Sequence, residues 1–200
     1  MKVNYDLIFQ DIINNLETKP TILLHSCCGP CSTAVIAALK DYFDITVYYY
    51  NPNIEPKEEY EKRKKEQIRF LNEIKYVNYI DCDYDNESFK EIAKGLEKEK
   101  EGGPRCSKCF YLRMKGTALK AKENNFDYFG TTLTVSPHKN SQIINEIGKQ
   151  IQEELDIKYL YSDFKKHDGY LKSIELAKKY NLYRQDYCGC SYSNWHELEE

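Results

Sequence analysis

The chain has 200 residues, 29 of them basic and 32 acidic, for a formal net charge of −3. That length suits one α/β domain over residues 1–200 with a substantial core, not two independent ones, and the near-balance of charge excludes a global field that would attract nucleic acid, so any RNA contact must use local basic patches. Eight cysteines, with no export signal and in a chain too long to need staples, point to metal binding or catalysis instead of a disulfide framework.

The opening residues, MKVNYDLIFQDIINNLE, are charged and helix-like, unlike an apolar leader with a small-residue cleavage site, and no later apolar run approaches membrane-spanning length. The chain therefore reads as cytoplasmic, with no membrane partner. Short apolar or β-branched runs at 22–25, 45–50, 76–80, 128–132 and 157–161 predict strands, separated by segments of helical period. Val35, Ile36 and Leu39 mark a helix after the first strand, and Ile143, Ile147, Ile151 and Leu155, recurring every fourth residue, mark one before the fifth. This alternation is the βαβ pattern of a parallel sheet. The charge-dense stretches 57–65 and 97–101 read as solvated helix faces or loop. Most of the eighteen tyrosines read as packing residues, although a tyrosine ring can also stack on a base.

Unusual residues fall at the ends of these strands. Cys27, Cys28 and Cys31 follow the first, Asn51 and Asn53 the second, Asp81, Cys82 and Asp83 the third, Thr132, Thr134, Ser136 and His138 the fourth, and Ser162 and Asp163 the fifth. Open parallel sheets bind ligands at the carboxyl ends of their strands, so one site at one sheet edge uses them all.

Seven of the eight cysteines lie in three tight groups, in HSCCGPCS, GGPRCSKCFYLR and YCGCSY. At a turn into a helix, CxxC lets both sulfurs face one centre, while backbone N–H groups and the helix dipole favour thiolate. Three readings compete. A thioredoxin-like dithiol switch needs only Cys28 and Cys31 and leaves five grouped thiols without work. A structural zinc ion takes four thiolates, which would make the chain a zinc-stabilised RNA-binding module with three thiols over. An iron–sulfur cluster also takes four, and the surplus can hold a second metal beside it, which accounts for all seven. Cys82 stands alone and reads as a small buried hydrophobe.

At these residues the sequence resembles the QueH-type epoxyqueuosine reductases. The resemblance rests on LLHSCCGPCS, YYNPNIEPKEEYEKR, GGPRCSKCFYLRM, FGTTLTVSPHKN, YLYSDFKKHDGY and YNLYRQDYCGCSYS, which run in that order from residue 23 to 193. It implies an α/β parallel-sheet sandwich similar to the PP-loop/HUP-type nucleotide-binding fold, with the metal site at the C-terminal edge of the sheet and cysteines where PP-loop enzymes carry a Ser-Gly-Gly turn. It also implies the reaction, two-electron deoxygenation of epoxyqueuosine to queuosine at the wobble base of tRNA. The implied cofactors are a [4Fe–4S] cluster and an additional mononuclear iron, and the implied partners are tRNA carrying epoxyqueuosine and an external electron donor.

A cubane takes ligands converging from separate loops, and adjacent residues such as Cys27 and Cys28 usually point apart. On that argument Cys28, Cys106, Cys109 and Cys190 hold the cluster, and Cys27, Cys31 and Cys188 hold the second iron with a position left open. Deoxygenation must deliver protons to the leaving oxygen, and Asp163, His138 and Tyr187 are the candidates to donate them. Asn51, Asn53, Thr132, Thr134 and Ser136 are candidates to hydrogen-bond the base or the ring diol. Arg105 is a candidate for phosphate, and Lys108 and Arg113 either share that role or balance the thiolates. Lys139, Lys165 and Lys166 share the sheet edge and read as solvated surface. His25, ending an apolar strand, reads as a satisfied core histidine.

Overall fold

The computed structural model describes residues 2–193; residues 1 and 194–200 of the expected 1–200 unit lie outside them. In chain order the elements are α1 (Tyr5–Asn14), β1 (Thr21–His25), α2 (Gly29–Leu39), β2 (Asp44–Tyr48), α3 (Lys57–Ile74), β3 (Asn78–Ile80), α4 (Asn86–Ala93), α5 (Pro104–Glu123), β4 (Tyr128–Thr131), α6 (Ser141–Leu155), β5 (Lys158–Tyr159) and α7 (Gly169–Lys179). Short 3-10 turns cover Leu133–Val135 and Ser191–Ser193. The strands form one parallel sheet in the order β3-β2-β1-β4-β5.

That order has a functional consequence. From β1 the chain builds outward through β2 to β3, then returns to lay β4 on the other side of β1. The direction of winding reverses at β1, and the crevice beyond its carboxyl end is where such sheets bind ligands. The residues that follow His25 at this point are Ser26, Cys27 and Cys28.

β1 is an unbroken apolar run because both its faces are covered. Successive side chains of a strand point to opposite faces. Ile22 and Leu24 therefore meet Val35, Ile36 and Leu39 of α2 on one side. On the other, Leu23 and Phe129 meet Met114 and Ala118 of α5 and Ile144 and Ile151 of α6. Leu23 is fully buried, and its replacement by Ala would cost about 2–5 kcal/mol. In α6, Gly148 permits close approach to the sheet, since a Cβ there would stand 2.2 Å from the Tyr159 ring.

All five expected strands form; β1 and β2 begin one residue early, at Thr21 and Asp44, and β2, β4 and β5 end short of the expected runs. β2 stops at Tyr48, because Tyr49 turns into a small cluster with Ile54 and Tyr60. β5 stops at Tyr159, and three residues on, a side chain replaces the ladder: Asn145 of α6 accepts from Ser162 N–H at 3.0 Å and donates to Ser162 C=O at 2.8 Å. The stretch 57–65 lies in α3, but Tyr60 and Arg63 within it are buried, so it is not simply a solvated face. No helix among the described residues is long and apolar enough to cross a membrane.

Candidate metal centre

The first cysteine group is built by local backbone. Cys28, extended at φ −172° and ψ 160°, is the N-cap of α2, with Pro30 in the first turn, and its Sγ accepts from Cys31 N–H at 3.3 Å. A sulfur thus takes the place usual for a Ser or Asp oxygen at a helix start. This wraps the chain so that the sulfurs of Cys27, Cys28 and Cys31 all lie within 4.8 Å of one another. Cys27 and Cys28 do not point apart, as their adjacency suggested; their sulfurs are 4.0 Å from each other. Hydrogen bonds from Cys28 and Cys31, with Lys139 and Thr132 helping, hold the Cys27 thiol well below its ordinary value. The same hydrogen bonds keep Cys28 protonated up to about 12 and raise Cys31.

The second group is assembled from two distant segments. Cys106 and Cys109 lie in the first turns of α5, and Cys109 packs with Cys190 against Phe89 and Ala93. Burial pushes the Cys109 thiol up to about 12, with Arg113 opposing and Cys188, Cys190 and Cys106 adding to the rise. The loop that brings Cys188 and Cys190 is held by α3. Arg63, buried and 2.6 Å from Glu59 Oε1, donates to the carbonyls of Cys188 at 3.2 Å and Tyr187 at 3.4 Å. Glu55 N–H donates to Gly189 C=O at 2.8 Å, and Ser191 Oγ donates to the Glu55 carboxylate at 2.7 Å. Gly189 has φ +124°, a conformation that L side chains rarely adopt.

All eight cysteines are free thiols. A cavity of about 390 Å³ opens over the centre, lined by Cys27, Cys31, Cys188, Arg113, His138 and Lys139 among others. That volume falls in the roughly 300–1,000 Å³ range of small-molecule sites. Three cations line it, Arg184 at the rim and Lys139 and Arg113 closer to the thiols. Burial lowers the Lys139 amine, but the Cys188, Cys27 and Cys31 thiols outweigh it and raise the group, so it is cationic. Arg113 is 1 % exposed and its Nη2 has no hydrogen-bond partner. Three clustered thiols, with Cys188 at the same cavity and a buried guanidinium with an orphaned nitrogen, fit an anionic metal–thiolate group.

Several predicted residues have other duties. Asn51 is buried; its Oδ1 accepts from His25 Nε2 at 3.2 Å and Arg113 Nη1 at 3.4 Å, while its amide donates to Ser26 C=O at 2.8 Å. Its polar atoms are thus committed to the scaffold. Thr132 Oγ1 accepts from Cys27 N–H at 3.2 Å and donates to the Cys27 sulfur at 3.5 Å, which makes it a partner of the thiol. Thr134 is buried against Ser162 Oγ at 3.1 Å. Arg105, 1 % exposed, donates to the carbonyls of Leu96, Glu97 and Glu99 and so grips the 97–101 segment, where no phosphate reaches it. Asp163 lies 3.3 Å from Lys165 Nζ and lines a separate cavity of about 210 Å³. Tyr187 lines the main cavity, but its hydroxyl donates to Glu55 C=O at 2.7 Å. Asn53 is buried with both amide atoms unpaired, beside Gly189.

Besides Tyr187, the polar candidates at the cavity are Ser136 and His138, joined by the His138 N–H donating to Ser136 Oγ at 3.3 Å. His25 is the satisfied core histidine expected. Its Nε2 faces Tyr50 C=O at 3.1 Å as well as Asn51, so Nε2 carries the proton and Nδ1 accepts from Thr131 Oγ1 at 2.9 Å. Burial, then Arg113, lowers its pKa to about 3, so it is neutral. Cys82 donates to Tyr49 C=O at 3.1 Å, outside the centre. Sequence reasoning missed Arg63 as the clamp of the last cysteine group. The Glu59–Arg63 spacing of four on a helix was the available signal.

Comparison with known proteins agrees with this architecture. The profile of a family described as Epoxyqueuosine reductase QueH matches residues 22–196. The chain is 46% identical over 202 residues to an epoxyqueuosine reductase QueH from Staphylococcus epidermidis, covering 96% of this chain and 85% of the relative. It is 45% identical to one from Streptococcus pyogenes, with 96% and 78% covered. Among solved structures, the U34-tRNA thiolase NcsA from Methanococcus maripaludis with its [4Fe-4S] cluster superposes with a TM-score of 0.57 at 15% identity, over 94% of this chain and 67% of that one. At that identity the likeness establishes the fold, the expected PP-loop-type parallel sheet. With three cysteine groups converging at the switch point of that sheet, and identity of this extent over nearly the whole chain, the protein belongs to the epoxyqueuosine reductase QueH family.

Proposed function

We propose that this chain reduces epoxyqueuosine to queuosine in tRNA, using a [4Fe–4S] cluster and an additional iron ion held by its seven grouped thiols. The observation that carries the reading is a cavity lined by Cys27, Cys31 and Cys188, beside the clustered sulfurs of Cys27, Cys28 and Cys31, in a chain nearly half identical to named epoxyqueuosine reductases. The epoxide takes up two electrons and two protons; both C–O bonds to the bridging oxygen break, a C=C bond forms between the two carbons, and water leaves. A tRNA substrate puts the work in the cytoplasm, and the electrons come from an external one-electron carrier.

The positions of the sulfurs favour a division different from the one argued from adjacency. Cys27, Cys28 and Cys31 converge on one point, while Cys106, Cys109, Cys188 and Cys190 are electrostatic neighbours of one another. We assign the trio to the additional iron and the quartet to the cluster. When bound, the cluster supplies electrons singly and the iron supplies Lewis acidity to the epoxide oxygen.

The remaining work falls to side chains at the cavity. Lys139 presents a cation to the oxygen as it gathers charge. His138 lines the cavity with no side-chain hydrogen bond among the described residues, so its ring is placed to hand a proton to that oxygen. The modified base must leave the anticodon stack to reach them, with Tyr170 and the exposed Arg184 at the rim to receive it.

Anaerobic protein reconstituted with iron and sulfide, given epoxyqueuosine tRNA and a strong reductant, should yield nucleosides lacking one oxygen. Full conversion by a zinc-loaded, iron-free protein, or none by the iron-loaded one, would sink this reading.

A further inference from the structure

Arg113 is a buried cation with no carboxylate. It lies one helical turn beyond Cys109 on α5, is 1 % exposed, and forms no ion pair with any Asp or Glu among the described residues. Its hydrogen bonds go to neutral acceptors at long range, Cys109 C=O and Asn51 Oδ1, both at 3.4 Å, and Nη2 has none. By contrast Arg63, equally buried, has Glu59 at 2.6 Å. Arg105, also buried without an anion, has three carbonyls within 3.1 Å; Arg113 has neither a carboxylate nor a close carbonyl, which leaves its charge to be met by an anion from elsewhere.

The anion is identified by the surroundings. Arg113 stands one turn beyond Cys109 on α5 and lines one cavity with Cys27, Cys31 and Cys188, so it has thiols of all three cysteine groups as neighbours. A polynucleotide phosphate is excluded by the near-complete burial of the side chain.

Building on the metal reading above, we infer that Arg113 is the fixed counter-cation of the metal–thiolate group, a positioning residue that sets how readily the group accepts an electron. Reduction adds a negative charge, and a positive charge held nearby in a poorly polarisable interior stabilises the reduced form more than the oxidised one. Removing that charge therefore lowers the reduction potential. Lys at this position keeps the charge but not the fork of donors.

The test is a spectroelectrochemical titration of the full chain reconstituted anaerobically, wild type beside Arg113→Met and Arg113→Lys. At a fixed applied potential, Arg113→Met should show an approximately tenfold lower ratio of reduced to oxidised cluster, equivalent to about 59 mV for a one-electron couple, and Arg113→Lys should recover most of the difference. Melting of each protein with and without iron gives the second readout. Arg113→Met should lose melting temperature, or iron, only in the loaded form. An unchanged potential at full iron content overturns the inference, as does an equal loss of stability in the metal-free form, complete failure to fold included, because either result makes Arg113 a packing residue. A wild-type chain that takes up no iron and sulfide would instead refute the metal reading on which the inference rests.

Discussion

The trio of Cys27, Cys28 and Cys31 and the quartet of Cys106, Cys109, Cys188 and Cys190, which share a cavity through Cys27, Cys31 and Cys188, are assembled by opposite means. The trio spans five residues and is shaped by one strand end and one helix cap. The quartet joins segments about eighty residues apart in the sequence, and half of it hangs on a loop whose carbonyls are gripped by a side chain from α3. The first is local geometry, which survives as long as β1 and α2 do. The second is tertiary docking, so its ligands depend on contacts remote from any cysteine.

The most decisive way to break this comparison is to exchange the two positions on which the adjacency argument and the sulfur geometry disagree. Cys188→Ala should abolish the cluster's visible absorbance and all turnover, whereas Cys28→Ser should keep the absorbance and lose one iron per chain together with turnover. The opposite pattern, read by absorbance and iron analysis, would restore the division of Cys28 with Cys106, Cys109 and Cys190. Next in size is Arg63→Met, which leaves Glu59 without its buried partner and frees two loop carbonyls. It should cost about 3–5 kcal/mol in denaturant unfolding, with the quartet losing iron before the trio does.

Gly189→Ala sharpens the point without touching a charge. At φ +124° its new Cβ would lie 2.9 Å from Ile54 Cγ1, so a cost of about 1–3 kcal/mol is expected, again with selective loss of the cluster in a chelator challenge. Least is expected from Cys82→Ala. It removes one thiol hydrogen bond to Tyr49 C=O and should shift stability by about 1 kcal/mol, leaving iron content at the wild-type value. A fall in iron would bring Cys82 into the centre.

The fold was legible because both faces of the sheet are covered, which made the strands readable as apolar runs, and because cysteine spacing marks ligands irrespective of what surrounds them. Strand ends were less legible where side chains outbid the ladder, as Asn145 does at Ser162. Among the site residues, polar type at a strand end identified the right neighbourhood but not the partner. Asn51, Thr132 and Thr134 are near the centre, yet their hydrogen bonds go to the scaffold and to a thiol. Arg105 and Arg113 flank the same cysteine pair in sequence; a helix sends one to a cage of carbonyls and the other beneath the cavity. Helical phase separates them, but nothing in the sequence says which phase meets the loop. Asp163 failed for a different reason, since β5 ends early and its side chain faces a separate cavity.

The cap formed by Cys28 has a further consequence for how such sequences drift. The fold asks of this position a small, fully buried side chain that accepts from the Cys31 N–H, a requirement that Ser meets about as well as Cys. Folding therefore exerts little selection for cysteine over serine here; under the proposed assignment the metal does. On the assignment proposed above, a single-nucleotide change from Cys to Ser would leave a protein that folds and persists in the cell, yet lacks one iron ligand. In a lineage that acquires queuosine ready-made, this position should be among the first to turn over, while Leu23 and Arg63, which the fold itself requires, stay in place.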